Sequence, residues 1–178
     1  MSEDVGKIEN QLWQSVENDP YLKLYAILDA ARDSRIHSHL VESGVEAFSL
    51  FRGDKARELA DVAPYLVPLH RGEDLVRWLL THGWGNSWAI MVESSVDLKK
   101  LRRHLQAFVM VYDPQGKPLY FRYYDPRVLR IYLPTCRESE LKTLFGPVNS
   151  FYSEAEDPAY LVHYAFAGGK LVERRVRL

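Results

Sequence analysis

The chain has 178 residues, 47% of them hydrophobic and 12% aromatic, which is enough to bury the core of one domain. Lys and Arg number 23 against 24 Asp and Glu, so the net charge of −1 gives no reason to expect general binding to nucleic acid or to a membrane surface. The one cysteine, Cys136, excludes an intrachain disulfide and a zinc site built from several cysteines.

The first residues (MSEDVGKIENQLWQ) are acidic and polar and lack the apolar core of a signal peptide. No apolar run approaches the roughly 18 residues that a membrane-spanning helix needs. A cytoplasmic location is therefore expected. Residues 1–20 predict an N-terminal helical segment, because apolar side chains recur there at helical spacing, at Ile8, Leu12, Trp13 and Val16.

Strand-like and helical patterns alternate through the first two-thirds of the chain. The strand-like runs cover residues 21–31, 46–51, 65–69 and 87–94, and the helical patterns cover residues 37–44, 52–64, 73–83 and 95–108. A β-hairpin is expected over residues 108–124, because Asp-Pro-Gln-Gly at 113–116 spells a tight turn. A helix over 138–146 and a closing hairpin over 160–176 follow.

This order predicts an α/β fold: a single domain with a mixed β-sheet flanked by helices and a C-terminal β-hairpin. The main domain is expected to span residues 21–152, and residues 153–178 are expected to form a hairpin packed on the same domain.

The segment FRYYDPRVLRIYLPTC, residues 121–136, collects the residue types of an active site. Most of them have a structural explanation. Asp125 followed by Pro126 is typical of a helix start, Pro134 ends that helix, and Thr135 with Glu138 predicts a capping box for the next one. The residues left over are Arg122, Tyr124, Arg127 and Arg130. Arginine and tyrosine are enriched in protein interfaces, although these arginines could equally brace the sheet edge through pairs with carboxylates.

Catalytic and ligand-binding motifs are weak or missing. No GxGxxG, GxxxxGK[ST] or GxSxG is present, and His37-x-His39 alone is a poor metal signature. Cys136 is interpreted as a small packed residue, since no motif links it to a base. The basic run at residues 99–104 is interpreted as a solvated helix face or a charged docking surface. An alternative is a small hydrolase or nuclease that uses Asp125, Arg127, Arg52 and His70; a nucleic-acid-binding module is disfavoured by the neutral charge.

Four blocks in order resemble a known family: YAILDAARD (25–33), LFRGDKARELADVAPYLVPL (50–69), GWGNSWAIMVESSVDLKKLRRHL (83–105) and FRYYDPRVLRIYLPTC (121–136). Together they are similar to the adaptor/chaperone family of bacterial type VI secretion, long catalogued as a domain of unknown function, over about residues 24–152. The family's signature positions fall on Asp29, Arg52, Gly53, Ala63, Pro64, Trp84, Gly85, Ser87, Trp88, Phe121, Arg122, Tyr124, Asp125, Pro126 and Arg127.

The resemblance implies a non-enzymatic protein that needs no cofactor or metal. Such adaptors bind a cognate effector in the cytoplasm and load it onto the VgrG spike, without nucleic acid, membrane or small-molecule substrate as partners. Many relatives continue into a helical C-terminal lobe, so binding here is expected to use the main domain or the closing hairpin. The expected partner-binding residues are Arg52, Gly53, Trp84, Trp88, Arg122, Tyr124, Asp125, Arg127 and Arg130.

Overall fold

The structure, a computed structural model, describes residues 2–178, and within them alternating strands and helices fill most of the chain. The helices are α1 (Ser2–Asn18), α2 (Ser34–Ser43), α3 (Lys55–Glu58), α4 (Asp74–His82), α5 (Leu98–Gln106), α6 (Pro126–Tyr132) and α7 (Glu138–Phe145). The strands are β1 (Lys23–Asp29), β2 (Phe48–Ser49), β3 (Pro64–Leu69), β4 (Ala89–Ser94), β5 (Met110–Tyr112), β6 (Pro118–Tyr120), β7 (Val148–Glu154), β8 (Tyr160–Ala167) and β9 (Lys170–Arg177). Two single 3-10 turns cover Ala60–Val62 and Leu133–Thr135.

The main sheet has seven strands in the order β2-β3-β1-β4-β7-β8-β9, and β5 and β6 form a separate two-stranded sheet. The expectation of a mixed sheet was wrong: every strand pair of the described chain is antiparallel. The reason lies in the crossover β3-α4-β4. The two strands it joins run in the same direction, but β1 lies between them and runs opposite to both. The single α/β domain with flanking helices and a C-terminal hairpin is confirmed.

Each face of the sheet carries its own hydrophobic core. Along β1, Tyr25 and Ile27 belong to one core, whereas Leu24, Ala26 and Leu28 belong to the other, as the alternation of side chains along a strand requires. The first core takes its helical residues from α5, α6 and α7, and the second takes them from α1, α2 and α4. Both faces of the sheet are therefore covered by helices, which explains why β1 reads as a continuous apolar run.

The N-terminal helix is longer than the apolar pattern alone indicated, and the predicted spacing is confirmed. Within α1, Ile8, Leu12 and Trp13 are buried in the second core, and Val16 packs against it. By contrast, the helix expected over residues 52–64 was largely wrong, because only the short α3 and one 3-10 turn form there. Neither piece buries a side chain, and Ala63 before Pro64 is extended, as the residue before a proline prefers.

Strand β7 has no counterpart in the sequence-based expectation. It lies between β4 and β8, yet its sequence VNSFYSE is half polar and shows no clean alternation. Three of its four polar side chains have tertiary partners: Asn149 accepts from the N–H of Ser95, His163 Nε2 lies 2.9 Å from Ser150 Oγ, and Glu154 accepts hydrogen bonds from a loop. The fourth, Ser153, has a buried Oγ without a hydrogen-bond partner among the described residues. A buried polar residue with a distant partner looks like a loop residue in sequence.

The expected capping box at Thr135 was also wrong. Thr135 lies in a 3-10 turn, where its Oγ1 donates to the carbonyl of Tyr132 at 2.7 Å. Helix α7 starts at Glu138, three residues after Thr135, and the side chain of Glu140 accepts from the backbone N–H of Arg137 at 2.7 Å. The 3-10 turn after α6 therefore delays the next helix start, and a different glutamate caps it.

Candidate protein-binding site

Acidic and basic side chains meet at one end of the main sheet. Asp29 and Glu154 are the last residues of β1 and β7, which run in the same direction because each is antiparallel to β4. The two carboxylates therefore emerge at the same end of the sheet. The corner formed by residues 121–130 supplies arginines to this end, as the next contacts show.

Arg122 pairs with the buried carboxylate of Asp29. Its Nη2 donates to Asp29 Oδ2, and the backbone N–H of Ala31 donates to Asp29 Oδ1 at 3.2 Å. Asp29 is fully buried, whereas the side chain of Arg122 is 39% exposed. Burial raises the pKa of Asp29, and the hydrogen bond and charge of Arg122 oppose that rise. The ionised form of this carboxylate therefore depends on Arg122.

Asp125 is confirmed as the N-cap of α6, and it has a second task. Its Oδ1 accepts from the backbone N–H of Arg127 at 2.9 Å. The guanidinium of Arg127 then folds back, with Nε 3.0 Å from Oδ1 and Nη2 2.6 Å from Oδ2. Burial opposes ionisation of Asp125, but the hydrogen bonds from Arg127 outweigh it and keep the pKa of Asp125 below its ordinary value.

Glu154 holds the loop of residues 83–88. Its Oε2 accepts from the backbone N–H of Gly85 at 2.5 Å, and its Oε1 accepts from the N–H of Ser87 at 2.9 Å and from Ser87 Oγ at 3.2 Å. Ser87 has a φ of 57°, a left-handed conformation that a serine rarely adopts. Burial raises the pKa of Glu154, and the hydrogen bonds from the loop oppose that rise. The carboxylate therefore loses contact with water but holds the loop in its strained conformation.

Two further hydrogen bonds lock the same region. Trp84 Nε1 donates to the carbonyl of Pro158 at 2.8 Å, and Arg130 Nη1 donates to the carbonyl of Glu154 at 2.9 Å. The loop after α4, the loop after β7 and helix α6 are thereby joined. The corner is a folded frame in which each charged group already has a partner within the chain.

The predicted partner-binding residues divide by exposure. Trp88, Tyr124 and Asp125 are buried, so in this structure they support neighbouring residues and present little surface. Trp84, Arg122 and Arg130 are half-buried, and Arg52, Gly53 and Arg127 are exposed. Arg52 and Gly53 do not join the ion pairs above. They precede α3, and Arg52 Nη2 lies 3.5 Å from the carbonyl of Arg103 in α5.

An exposed apolar surface near Arg52 was not predicted. Hairpin β5–β6 presents four partly or largely exposed side chains, which we call the hairpin patch: Val111, Tyr112, Leu119 and Tyr120. Its sequence signal was visible, because MVY and PLY are apolar at successive positions and so on both faces, whereas only one face can pack on the core.

A groove runs beside the hairpin patch. It has a volume of about 410 Å³, and its walls include Phe51, Val109 and Met110. The two charged side chains of its lining are cations, Arg52 and Lys55, and Lys55 Nζ lies 5.3 Å from the centre of the Tyr120 ring. An aromatic and aliphatic surface with a basic rim is the composition expected of a protein-binding site.

The residues of the hydrolase alternative are not brought together. His70 follows the last residue of β3, and Leu69 pairs with Leu24 near the start of β1, whereas the Asp125 cluster lies beside Asp29 at the other end. Five residue steps of β1 separate the two ends, about 17 Å at ~3.4 Å per residue. Among residues 2–178, no group of three or more His, Cys, Asp or Glu side chains is placed to hold a metal ion.

The surroundings of Cys136 do not activate its thiol. The Sγ of Cys136 donates to the carbonyl of Tyr132 at 3.4 Å, and burial raises the pKa of its thiol, the opposite of what activates a nucleophile.

In the part of the chain that the structure describes, no helix combines the length and apolar character needed to cross a membrane.

Because Asp125 both caps α6 and pairs with Arg127, two substitutions of this residue are expected to lower the free energy of unfolding by different amounts. Asp125→Ala removes cap and ion pair and is expected to lower the free energy of unfolding by about 2–3 kcal/mol, whereas Asp125→Asn keeps a capping oxygen and is expected to cost about 1 kcal/mol. Because the folded-state pKa is lowered, the contribution of the ionised form is present above the ordinary aspartate pKa and is lost as the pH falls through the folded-state pKa.

Urea unfolding at neutral pH and near pH 3 measures this effect. The difference between wild type and Asp125→Asn is expected to shrink at the lower pH. The matched control is Asp74→Asn, which breaks an exposed pair with Arg77 at a helix start and is expected to change stability little. Equal losses from Asp125→Asn and Asp74→Asn would contradict the ion-pair role.

Comparison with known proteins gives one match. A family model described as a domain of unknown function (DUF4123) matches residues 24–143, from the second residue of β1 through most of α7. No curated protein and no solved structure shows significant similarity to the chain. The matched range contains the 83–88 loop, the 121–130 corner, the groove and the hairpin patch.

Proposed function

The chain belongs to the DUF4123 family, and from this we propose that it is a cytoplasmic adaptor that binds a type VI secretion effector and helps to load it onto the VgrG spike. Membership of this family is consistent with an adaptor role in type VI secretion. The action we propose is non-catalytic and uses no cofactor. The observation that carries it is the hairpin patch, an apolar surface that the fold itself leaves exposed.

The hairpin patch and the groove are the surface that we assign to the effector. Tyr112 is 68% exposed and Leu119 46%, and Tyr112 lines the groove together with the buried core residues Phe51 and Val109. Covering such side chains removes apolar area from water, at about 25 cal/mol per Å². Aromatic side chains with few rotatable bonds are typical binding hot spots, and Arg52 at the rim adds a cation with a planar, multiply donating head.

The corner at the sheet end supports a binding role more than a catalytic one. Asp125 is buried and accepts three hydrogen bonds, all from the backbone and guanidinium of Arg127, so little of its carboxylate is accessible to a substrate. Arg127 and Arg130 sit on the outer side of this frame with part of their surface exposed. We propose that this side is the second surface, which meets the spike while the hairpin patch holds the effector.

An adaptor with two surfaces works by proximity. Holding the effector on one surface and the spike on the other turns their encounter into an intramolecular event, with effective concentrations that reach the millimolar range. Covering the apolar surface of the effector until that encounter protects it from aggregation. Neither effect requires chemistry at the adaptor.

The test uses the full chain co-expressed with the effector and spike encoded beside it. The double variant Tyr112→Ser/Leu119→Ser is expected to weaken effector binding roughly 30-fold or more, as for a hot spot worth about 2 kcal/mol. Tyr21→Ser is the matched control, because Tyr21 is 76% exposed but lies in the turn before β1, outside the hairpin. Calorimetry or surface plasmon resonance gives the affinities.

Three outcomes decide the proposal. Loss of effector binding in the hairpin variant, with retained folding and normal binding by Tyr21→Ser, supports it. Unchanged binding by the hairpin variant contradicts the assignment of this surface. Failure of the wild-type chain to bind either the effector or the spike contradicts the adaptor function itself.

A further inference from the structure

We propose that strand β9 is a docking edge that accepts an extended, acidic segment of a partner protein as an eighth strand of the main sheet. Among residues 2–178, strand β9 is the long free edge: it has eight residues and pairs with β8 alone, whereas the opposite edge, β2, has two. This inference rests on the proposed function for the identity of the partner, but its surface chemistry follows from β9 itself.

The hydrogen-bond register shows which backbone groups of β9 are free. The N–H of Leu178 donates to the carbonyl of Ala159 at 2.9 Å, directly across the strand pair. Since directly bonded pairs alternate along an antiparallel ladder, Val172, Arg174 and Val176 turn their backbone groups toward β8. The residues that turn their N–H and C=O groups outward are therefore Leu171, Glu173, Arg175 and Arg177.

The side chains of β9 determine what kind of strand fits. Four cations and one carboxylate give the strand a net charge of +3: Lys170, Arg174, Arg175, Arg177 and Glu173. The β8 residues opposite the cations Lys170, Arg174 and Arg177 are Ala167, His163 and Tyr160, none of them acidic. These cations have no carboxylate partner in the described chain, and Glu173 pairs with Arg175. A strand that carries carboxylates would supply the missing counter-charges.

Charge also decides against the simplest competitor, a second copy of the chain. Edge-to-edge pairing of two β9 strands would bring together two strands of net charge +3 each. Cations on an edge strand are a known protection against such self-pairing. The same charges that discourage a second copy attract an acidic segment, and main-chain hydrogen bonds then supply affinity without demanding a particular sequence.

The neighbourhood of β9 offers room for the side chains of an added strand. Arg175 lines a surface depression of about 480 Å³ together with Arg130, Ile131 and Tyr160. Glu156 and Asp157 also line it, so an apolar side chain of the added strand fits this depression better than an acidic one. Ile131 is 74% exposed there, so an apolar side chain of the added strand has a contact beside the cations. The expected segment therefore alternates acidic residues with β-branched or aromatic ones.

The probe for this test is a synthetic eight-residue peptide that alternates glutamate and valine and has blocked termini. We expect saturable binding to the full chain, with slower hydrogen exchange at the outward amides of Glu173, Arg175 and Arg177. Exchange at Arg174, whose amide already bonds to β8, is expected to change little. A peptide with lysine in place of glutamate is the matched control and is expected to bind at least tenfold more weakly.

One variant tests the role of the outward backbone N–H groups of β9, and a second tests the role of its positive charge. Arg175→Pro removes one outward N–H without removing a bond to β8 and is expected to weaken peptide binding at least tenfold. Glu173→Lys raises the net charge of β9 and is expected to tighten peptide binding. Opposite effects of the two variants separate docking from general loss of folding, which would weaken binding in both.

The outcomes are distinct from those of the adaptor test. Equal binding of the two peptides, protection elsewhere than β9, no binding up to about 1 mM, or a dimer that Arg175→Pro dissolves would each overturn the inference. If effector and spike bind normally to Arg175→Pro, the inference falls and the adaptor function stands. If the acidic peptide binds β9 but neither effector nor spike binds the wild-type chain, the adaptor function falls and the docking edge stands.

Discussion

Replacing Arg122 with methionine is expected to lower the free energy of unfolding by about 3 kcal/mol at neutral pH. The reason is the carboxylate it leaves behind: Asp29 is fully buried, and breaking a buried ion pair by removing one partner typically costs about 3–5 kcal/mol. We expect the lower end of that range because the Arg122 side chain is 39% exposed and water can reach the vacated space.

The pH dependence of this variant has a defined sign. Burial already raises the pKa of Asp29, and loss of Arg122 removes the interaction that opposes the rise. A folded-state pKa above the unfolded value means that the native state binds the proton more tightly, so the penalty is largest at high pH and is relieved as the pH falls toward the ordinary aspartate range. Urea unfolding of the wild type and of Arg122→Met at two pH values measures this penalty.

Two further variants make the Arg122 result interpretable. Adding Asp29→Asn to Arg122→Met removes the stranded charge and is expected to recover part of the loss and to abolish its pH dependence. Arg57→Met breaks an ion pair with Asp54 in which both side chains are highly exposed, and it is expected to have little effect. Equal losses from Arg122→Met and Arg57→Met would show that Asp29 does not depend on its partner.

Replacing Glu154 with glutamine is expected to cost about 2–4 kcal/mol, because one carboxylate accepts three hydrogen bonds from the 83–88 loop. An amide has one acceptor oxygen, and its NH₂ group would face a backbone donor. Whichever way the amide turns, either Gly85 or Ser87 loses its acceptor, and Ser87 is held at a φ of 57°. Amide hydrogen exchange is expected to accelerate at Gly85 and Ser87 beyond the effect on global stability.

The control for Glu154 is close in sequence. Glu156→Gln changes an exposed carboxylate two residues away and is expected to leave loop exchange unchanged. The bond from Arg130 goes to the backbone carbonyl of Glu154, so it persists in the variant and α6 is expected to stay in place. Unchanged exchange at Gly85 and Ser87 in Glu154→Gln would mean that the loop is held by other contacts.

The features of this fold that could be predicted from the sequence are those formed by residues close together in the chain. The turn of the β5–β6 hairpin needs Gly116 at a φ of 80°, and the side chain of Asp113 accepts from the backbone N–H of Gln115 and of Lys117, all within five residues. The start of α6 at Asp125 is equally local. Such features depend on neighbours in sequence, so composition and spacing identify them.

Features that depend on distant partners were not visible. Asp29 and Arg122 are 93 residues apart, and Glu154 holds a loop 67 residues earlier. The position of β1 between β3 and β4 likewise has no local signature, because strand order does not change the apolar pattern of a strand. Arg127 could be recognised as a surplus arginine in the corner, but its return to Asp125 depends on the folded geometry of the helix start.

The position of β1 has a consequence for synthesis. This strand leaves the ribosome before β3 and β4, yet it lies in the interior of the sheet and needs β3 on one side and β4 on the other. About 65 further residues follow Asp29 before β4 is complete, which takes roughly 3–13 s at typical translation rates. During that interval the nascent chain carries an apolar strand with two unpaired edges, which is the kind of exposed surface that makes a folding intermediate prone to aggregation.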